Sequence, residues 1–210
     1  MAAGAGDGRT LTATATLGPR PTVTRDLVEA ARVLMWDTGA PGFTVTQVVA
    51  AAGTSLKSFY RCFESKDELL VALFEDDARR GAQALAEAVA RCDEPLDRVR
   101  CAVQGLFGFI TLDGRLPYAA ALVREHLRLS ESRPDELRAV LQPFVAILAV
   151  ELDKGRLHGV IAVDDPARTA RTLFHLVVSH LHALICHQIE ESPAEVADDL
   201  WSFCAAALRP

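Results

Sequence analysis

Between residues 53 and 68 the chain gathers side chains that hydrogen-bond, stack and carry charge. Ser55, Lys57, Ser58, Tyr60, Arg61 and Lys66 stand close together, while the flanking segments are rich in alanine and leucine. Hydroxyls and cations on a short helical stretch can donate to phosphate oxygens and to the acceptor edges of bases. Phe59 and Phe63, at i and i+4, share one side of that stretch and read as its anchor to a core. The whole chain carries a net charge of −6, so it does not coat nucleic acid through bulk charge. A local polar surface remains open to it, because residues 1–70 hold equal numbers of acidic and basic side chains and the deficit lies beyond them.

Helices are expected to position these groups. Half of the 210 residues are hydrophobic, and Ala and Leu outweigh the β-branched and aromatic types that favour strands. The fold class is therefore all-α. Residues 1–21, rich in Gly, Ala and Thr and closed by Pro19-Arg20-Pro21, are expected to form a flexible arm. Val23, Leu27, Ala30, Ala31, Leu34 and Thr38 then recur at helical spacing, with Arg25, Glu29 and Arg32 largely outside that face. Gly39 and Pro41-Gly42 end this helix.

Thr44 and Gln47 have the spacing of a capping box, opening a short helix that Gly53 stops. Ser55 caps a second short helix through Phe63. Ser65 and Glu68 form another box, opening a helix of roughly 25 residues. Pro95, Pro117, Pro134 and Pro166 each sit at the first turn of a further helix, the last expected to run to about Ile189. Ser192-Pro193 opens the final one. About nine helices result, with no strand pattern, repeat or phosphate-loop glycine motif.

Two short helices about a glycine turn, braced by a first helix, form a helix-turn-helix. Here the run Phe43-Thr44-Val45, Val48, Ala51-Ala52-Gly53, Ser55, Ser58-Phe59-Tyr60, Phe63, Lys66 and Glu68-Leu69-Leu70 resembles the N-terminal pattern of the tetracycline-repressor-like (TetR) family of bacterial regulators. The likeness covers about 50 residues. It departs from the family pattern at Val49, Thr54 and Cys62. The resemblance implies a DNA-binding domain over residues 22–70 and a ligand-binding and dimerisation domain over residues 71–210. It implies that Thr44 and Gln47 touch phosphates or groove edges and that Ser55, Leu56, Lys57 and Ser58 lie nearest bases. Tyr60 and Lys66 would hold phosphates, and Arg61 would read a guanine or neutralise a phosphate.

By the same resemblance the partners are a double-stranded DNA operator, a second copy of the chain and a small apolar or aromatic effector. Two subunits would set their recognition helices about 34–36 Å apart on a pseudo-palindromic site. Residues 165–208 are the expected dimer helices, since Leu173, Leu176, Val177, Leu181, Leu184 and Ile185 exceed one core face. Phe107, Phe109, Ile110, Tyr118, Leu122, His126, Phe144, Ile147, Leu148 and His175 are the expected pocket residues. Aromatic residues at such spacing equally suit an ordinary core.

His182 and Cys186, at i and i+4, have metal-ligand spacing, but no third ligand is evident and no metal or other cofactor is expected. The five scattered cysteines suit reduced thiols. Neither a spanning apolar run nor an export leader is evident, so a cytoplasmic setting without a membrane is expected. The expected function is a ligand-responsive transcriptional regulator, a repressor rather than an enzyme. An all-α carrier or enzyme without DNA binding is the alternative, and it leaves the residues around Gly53 without a purpose.

Overall fold

The computed structural model of the protein describes residues 22–39, 42–111 and 116–210, so the expected arm at 1–21 lies outside the described residues. Among them are nine helices and no strand: α1 (Thr22–Thr38), α2 (Val45–Ala51), α3 (Leu56–Cys62), α4 (Lys66–Ala90), α5 (Pro95–Thr111), α6 (Leu116–Ser132), α7 (Pro134–Leu157), α8 (Pro166–Ile185) and α9 (Pro193–Leu208). The all-α expectation holds in class, order and number.

Local chemistry starts most of these helices. Thr44 and Gln47 close a full capping box: the Gln47 amide donates to Thr44 Oγ1 at 3.2 Å and the Thr44 amide to Gln47 Oε1 at 2.7 Å. Ser55 Oγ accepts from the Ser58 amide at the start of α3. Ser192 and Glu195 form a second full box at α9. At α4 only half of the expected box forms. Ser65 caps as expected, but Glu68 reaches one residue further back and accepts from the Glu64 amide at 2.6 Å. Either way a free amide of the first turn finds an acceptor.

Stops are equally local. Gly39 and Gly53 take positive φ, 58° and 61°, which carry the chain out of α1 and α2 with no Cβ to clash. Helix α8 ends at Ile185, short of the expected Ile189. His187 adopts φ 52°, and the Gln188 amide turns back to the Ala183 carbonyl. No Gly or Pro marks this left-handed stop in the sequence, so periodicity overran it.

Helix α1 packs on α2 and α3, forming a small three-helix unit around Leu27, Met35, Val48, Phe59 and Phe63, and this unit rests on α4 through α1. Val23, expected on the inner face, is exposed because the helix has barely begun there. Helix α4 continues without a break from this unit into the second, where it packs on α5 and α7. The expected domain boundary at residue 70 thus falls inside one rigid element. Helices α7 and α8 make the most extensive pairing, and α9 lies against α5 and α8.

The apolar surplus expected on α8 is largely taken up within the subunit. Leu173, Val177, Leu181, Leu184 and Ile185 are buried, and only Leu176 remains half-buried. Near the end of α7, Gly155 faces buried Ile161. A Cβ there would stand 2.3 Å from Ile161 Cδ1 and 2.7 Å from its Cγ1. Replacing a helical glycine by alanine gains up to about 1 kcal/mol of propensity, less in a last turn such as this, whereas overpacking costs about 1–3 kcal/mol. Gly155→Ala is therefore expected to lower stability by about 1 kcal/mol in chemical denaturation, against the propensity trend.

Candidate nucleic-acid interface

Helix α3 is held by one side and offered by the other. Phe59 is fully buried, with the Phe63 ring 5.7 Å and the Tyr60 ring 5.3 Å from its own. On the opposite side Leu56 is 45% and Tyr60 60% exposed, and Lys57 and Arg61 are exposed as well. Neither Lys57 nor Arg61 forms a salt bridge with a described residue, and both side chains face solvent. Ser55 and Ser58 hydroxyls sit 3.0 Å apart at the start of the helix.

The bracing helix adds a second row. Thr44 and Gln47 are exposed, and the box fixes their direction. Gln47 uses its carbonyl oxygen on the Thr44 amide and hydroxyl, which leaves its side-chain NH2 as a donor directed away from the box. Lys66 is half-buried, with Nζ 4.5 Å from the centre of the Phe43 ring. Burial pushes its pKa down. Thr44, Gln47, Ser55, Leu56, Lys57, Ser58, Tyr60 and Arg61 thus lie on two adjacent short helices, while Lys66 stands at the root of α4.

Charged residues that periodicity placed outside the core hold this unit to the rest of the molecule. Arg32 of α1 has a side chain only 13% exposed. Its Nε donates to Asp77 Oδ1 at 2.9 Å and its Nη2 to Asp76 Oδ2 at 2.7 Å, both on α4, and it also binds Glu29. From α6, the Tyr118 hydroxyl donates to the other Asp77 oxygen. Burial drives the Asp77 pKa up, opposed by the donors Tyr118 and Arg32. Burial also raises the Tyr118 pKa, and the neighbouring Asp77 charge adds to it.

Helix α6 reinforces the joint. Arg124 Nη2 donates to the Gly39 carbonyl at 3.2 Å, the Trp36 and Tyr118 rings lie 5.5 Å apart, and Arg128 grips both Asp67 oxygens at 2.5 and 3.2 Å. Sequence reasoning missed this cluster. The acidic run Glu75-Asp76-Asp77 within α4 was its only trace.

The residues expected to bind an effector are distributed across the second unit. Phe107 and Leu148 are buried in the core. Phe144 stacks on Phe174 at 6.3 Å, and Leu122 is half-buried. Tyr118 serves Asp77. His126 meets the edge of Phe74 at 6.4 Å, and His175 is exposed beside Phe174. The side chains of Phe109 and Ile110 lie outside the described residues. A pocket of about 290 Å³ opens elsewhere, between α4, α5 and α7, and of the expected residues it includes only Ile147. Among the described residues no three His, Cys, Asp or Glu side chains come together to hold a metal ion. None of the described helices is long and apolar enough to cross a membrane.

Residues 27–73 match the sequence model described as bacterial regulatory proteins, tetR family. No curated protein matches the chain. Solved structures show the fold. The regulator FadR from Bacillus subtilis, in complex with stearoyl-CoA, shares 14% identity at a TM-score of 0.69, over 88% of this chain and 99% of that one. Reduced NemR from E. coli shares 20% at 0.67, over 90% and 99%. A TetR-family regulator from Agrobacterium tumefaciens shares 18% at 0.64, over 90% and 98%.

Two measurements test the joint. Tyr118→Phe keeps the ring against Trp36 but takes a donor from a buried carboxylate, so it should cost about 1–3 kcal/mol in denaturant unfolding. Burial lowers the His126 pKa, so the folded chain binds fewer protons than the unfolded one below about pH 6.5. Stability should then fall as pH drops from 7 to 5, and thermal melts of His126→Gln should lack that part of the fall.

Proposed function

Because residues 27–73 of this chain belong to the tetR family of bacterial regulatory proteins and its fold is that of TetR-family regulators, we propose that it is a ligand-responsive transcriptional repressor. On this reading it binds a pseudo-palindromic operator as a homodimer and leaves it when a small effector binds. The observation that carries the reading is the division of α3, with Phe59 fully buried while Leu56, Lys57, Tyr60 and Arg61 face outwards. An anchored helix with a free polar face can lie in the major groove, where Lys57 and Arg61 reach guanine O6 and N7 or a phosphate. Thr44, Gln47 and the Tyr60 hydroxyl, placed around it, are suited to fixing register on phosphates.

The dimer would form through residues 165–208. Phe203 on α9 is 66% exposed, and Leu176 and Val178 on α8 are half-buried. A two-fold axis along these helices would cover all three and make a four-helix contact. The effector response would use α4, which touches both units. A ligand preferring one tilt of α4 would shift the spacing of the two α3 helices away from the operator. Stearoyl-CoA bound in the FadR structure supports effector binding in this fold.

Duplexes selected from a randomised library by the full-length protein supply the operator. Lys57→Ala/Arg61→Ala should weaken binding to them at least tenfold in gel shift, given about 1–3 kcal/mol per good base contact. Its melting temperature should stay that of the parent, since both side chains are exposed. Unchanged operator affinity in that variant would overturn the assignment.

A further inference from the structure

We propose that Cys92 and Cys101 are a paired, reversible oxidation site, which a hydroperoxide converts into a disulfide within one chain. Cys92 lies in the short connection 91–94 between α4 and α5, and Cys101 on the second turn of α5. Both are half-buried, so a small oxidant reaches them. The other cysteines stand on other elements: Cys62 on α3, Cys186 at the end of α8 and Cys204 on α9.

The hairpin of α4 and α5 brings the two sulfurs to one level. Arg98, one turn before Cys101 on the same face of α5, donates from Nε to the Cys92 carbonyl at 2.8 Å. Gly105, one turn after it, faces α4, where a Cβ would stand 2.6 Å from Leu85 Cδ1. The two helices thus run antiparallel in close contact, and Cys101 comes beside the last turn of α4. Cys92 sits just past that turn, and its thiol points back along it to the Ala88 carbonyl, 3.9 Å from Sγ. The Cys101 thiol hydrogen-bonds the Cys92 thiol, and burial together with this neighbour pushes the Cys101 pKa up to about 11. An S–S bond needs Cα atoms within about 7 Å of each other. The missing Cβ of Gly105 permits such an approach of the two helices.

One sulfur attacks an oxygen of hydrogen peroxide, becomes a sulfenic acid and releases water. The second sulfur then bonds to it, and the sulfenic hydroxyl leaves as water with the second thiol's proton. Two thiols and one peroxide yield one disulfide and two waters; the sulfurs are oxidised and the peroxide oxygens reduced. Holding the second thiol alongside makes this step unimolecular, so it outruns further oxidation to the sulfinic acid. Among the described residues no third His, Cys, Asp or Glu joins the pair to make a metal site.

The site stands apart from the DNA-binding reading and is tested on the free, reduced, full-length protein. Equimolar hydrogen peroxide should remove two thiols per chain while the protein still runs as a single chain on a non-reducing gel. Mass spectrometry after trypsin should find residues 92–98 joined to residues 101–115, and dithiothreitol should separate them. The joined species should form at a rate independent of protein concentration and before Cys62 or Cys186 is oxidised. Cys92→Ser and Cys101→Ser should each abolish it. The map of the unsubstituted chain decides the matter should a variant fail to fold. No joined peptides, joining only in urea-unfolded protein, or earlier oxidation of Cys62 or Cys186 would overturn the site.

Discussion

The ion cluster around Asp77 is the constraint on which the placement of the interface depends. Three helices reach it: α1 through Arg32, α4 through Asp76 and Asp77, and α6 through Tyr118. A carboxylate this deeply placed is costly unless donors satisfy it, and both of its oxygens are taken. Removing any one donor leaves a charge without its partner, so the cluster penalises sliding of α1 along α4 more than apolar contacts would. Leu27, Met35 and Leu70 make the contact adhesive, while Arg32 gives it a register. With α1 held in register, α2 and α3 are held too, because both pack on it.

The anchors and ends of the helical interface were legible in the sequence because their causes are local. A capping box spans four residues, a glycine turn one, and an i,i+4 aromatic pair one helical turn. These gave Thr44–Gln47, Gly53 and Phe59–Phe63 without knowledge of the rest. The Arg32 cluster was not legible, because its partners are separated by 44 and 45 positions and no short-range rule links them. Periodicity treats every charge as solvent-facing and so placed Arg32 outside. The same blindness applied to α8, where apolar residues suited an interface between subunits or a partner helix within one; the pairing with α7 took most of them.

The balance of charge follows the same division. Acidic residues of α4 are not a field that repels DNA, since Asp76 engages Arg32, Arg79 and Arg80, and Asp67 engages Arg128. Those contacts bring cations to the acids of α4 from α1, from α6 and from α4 itself. Lys57 and Arg61 have no described acidic partner of this kind. A protein with a net charge of −6 can therefore present a positive edge at α3, because salt at physiological strength screens charges beyond about 8 Å.

Helix α4 turns these separate features into one device. Its 25 residues span roughly 36 Å at about 1.5 Å per residue. At its start Asp67 is gripped by Arg128, between two and three turns further Asp76 and Asp77 hold Arg32, and near its end Val89 walls the pocket beside Arg98 and Glu151. A straight helix bends little over such a length, so a displacement at Val89 must reappear as tilt about the Arg32 cluster. That cluster is directional and resists sliding, yet hydrogen bonds tolerate a few degrees of rotation. The fulcrum lies near the middle of α4, so the arrangement favours changes of angle, similar in size at the two ends, over translations. On the proposed dimeric reading, two α3 helices set about one DNA turn apart would be sensitive to that kind of change.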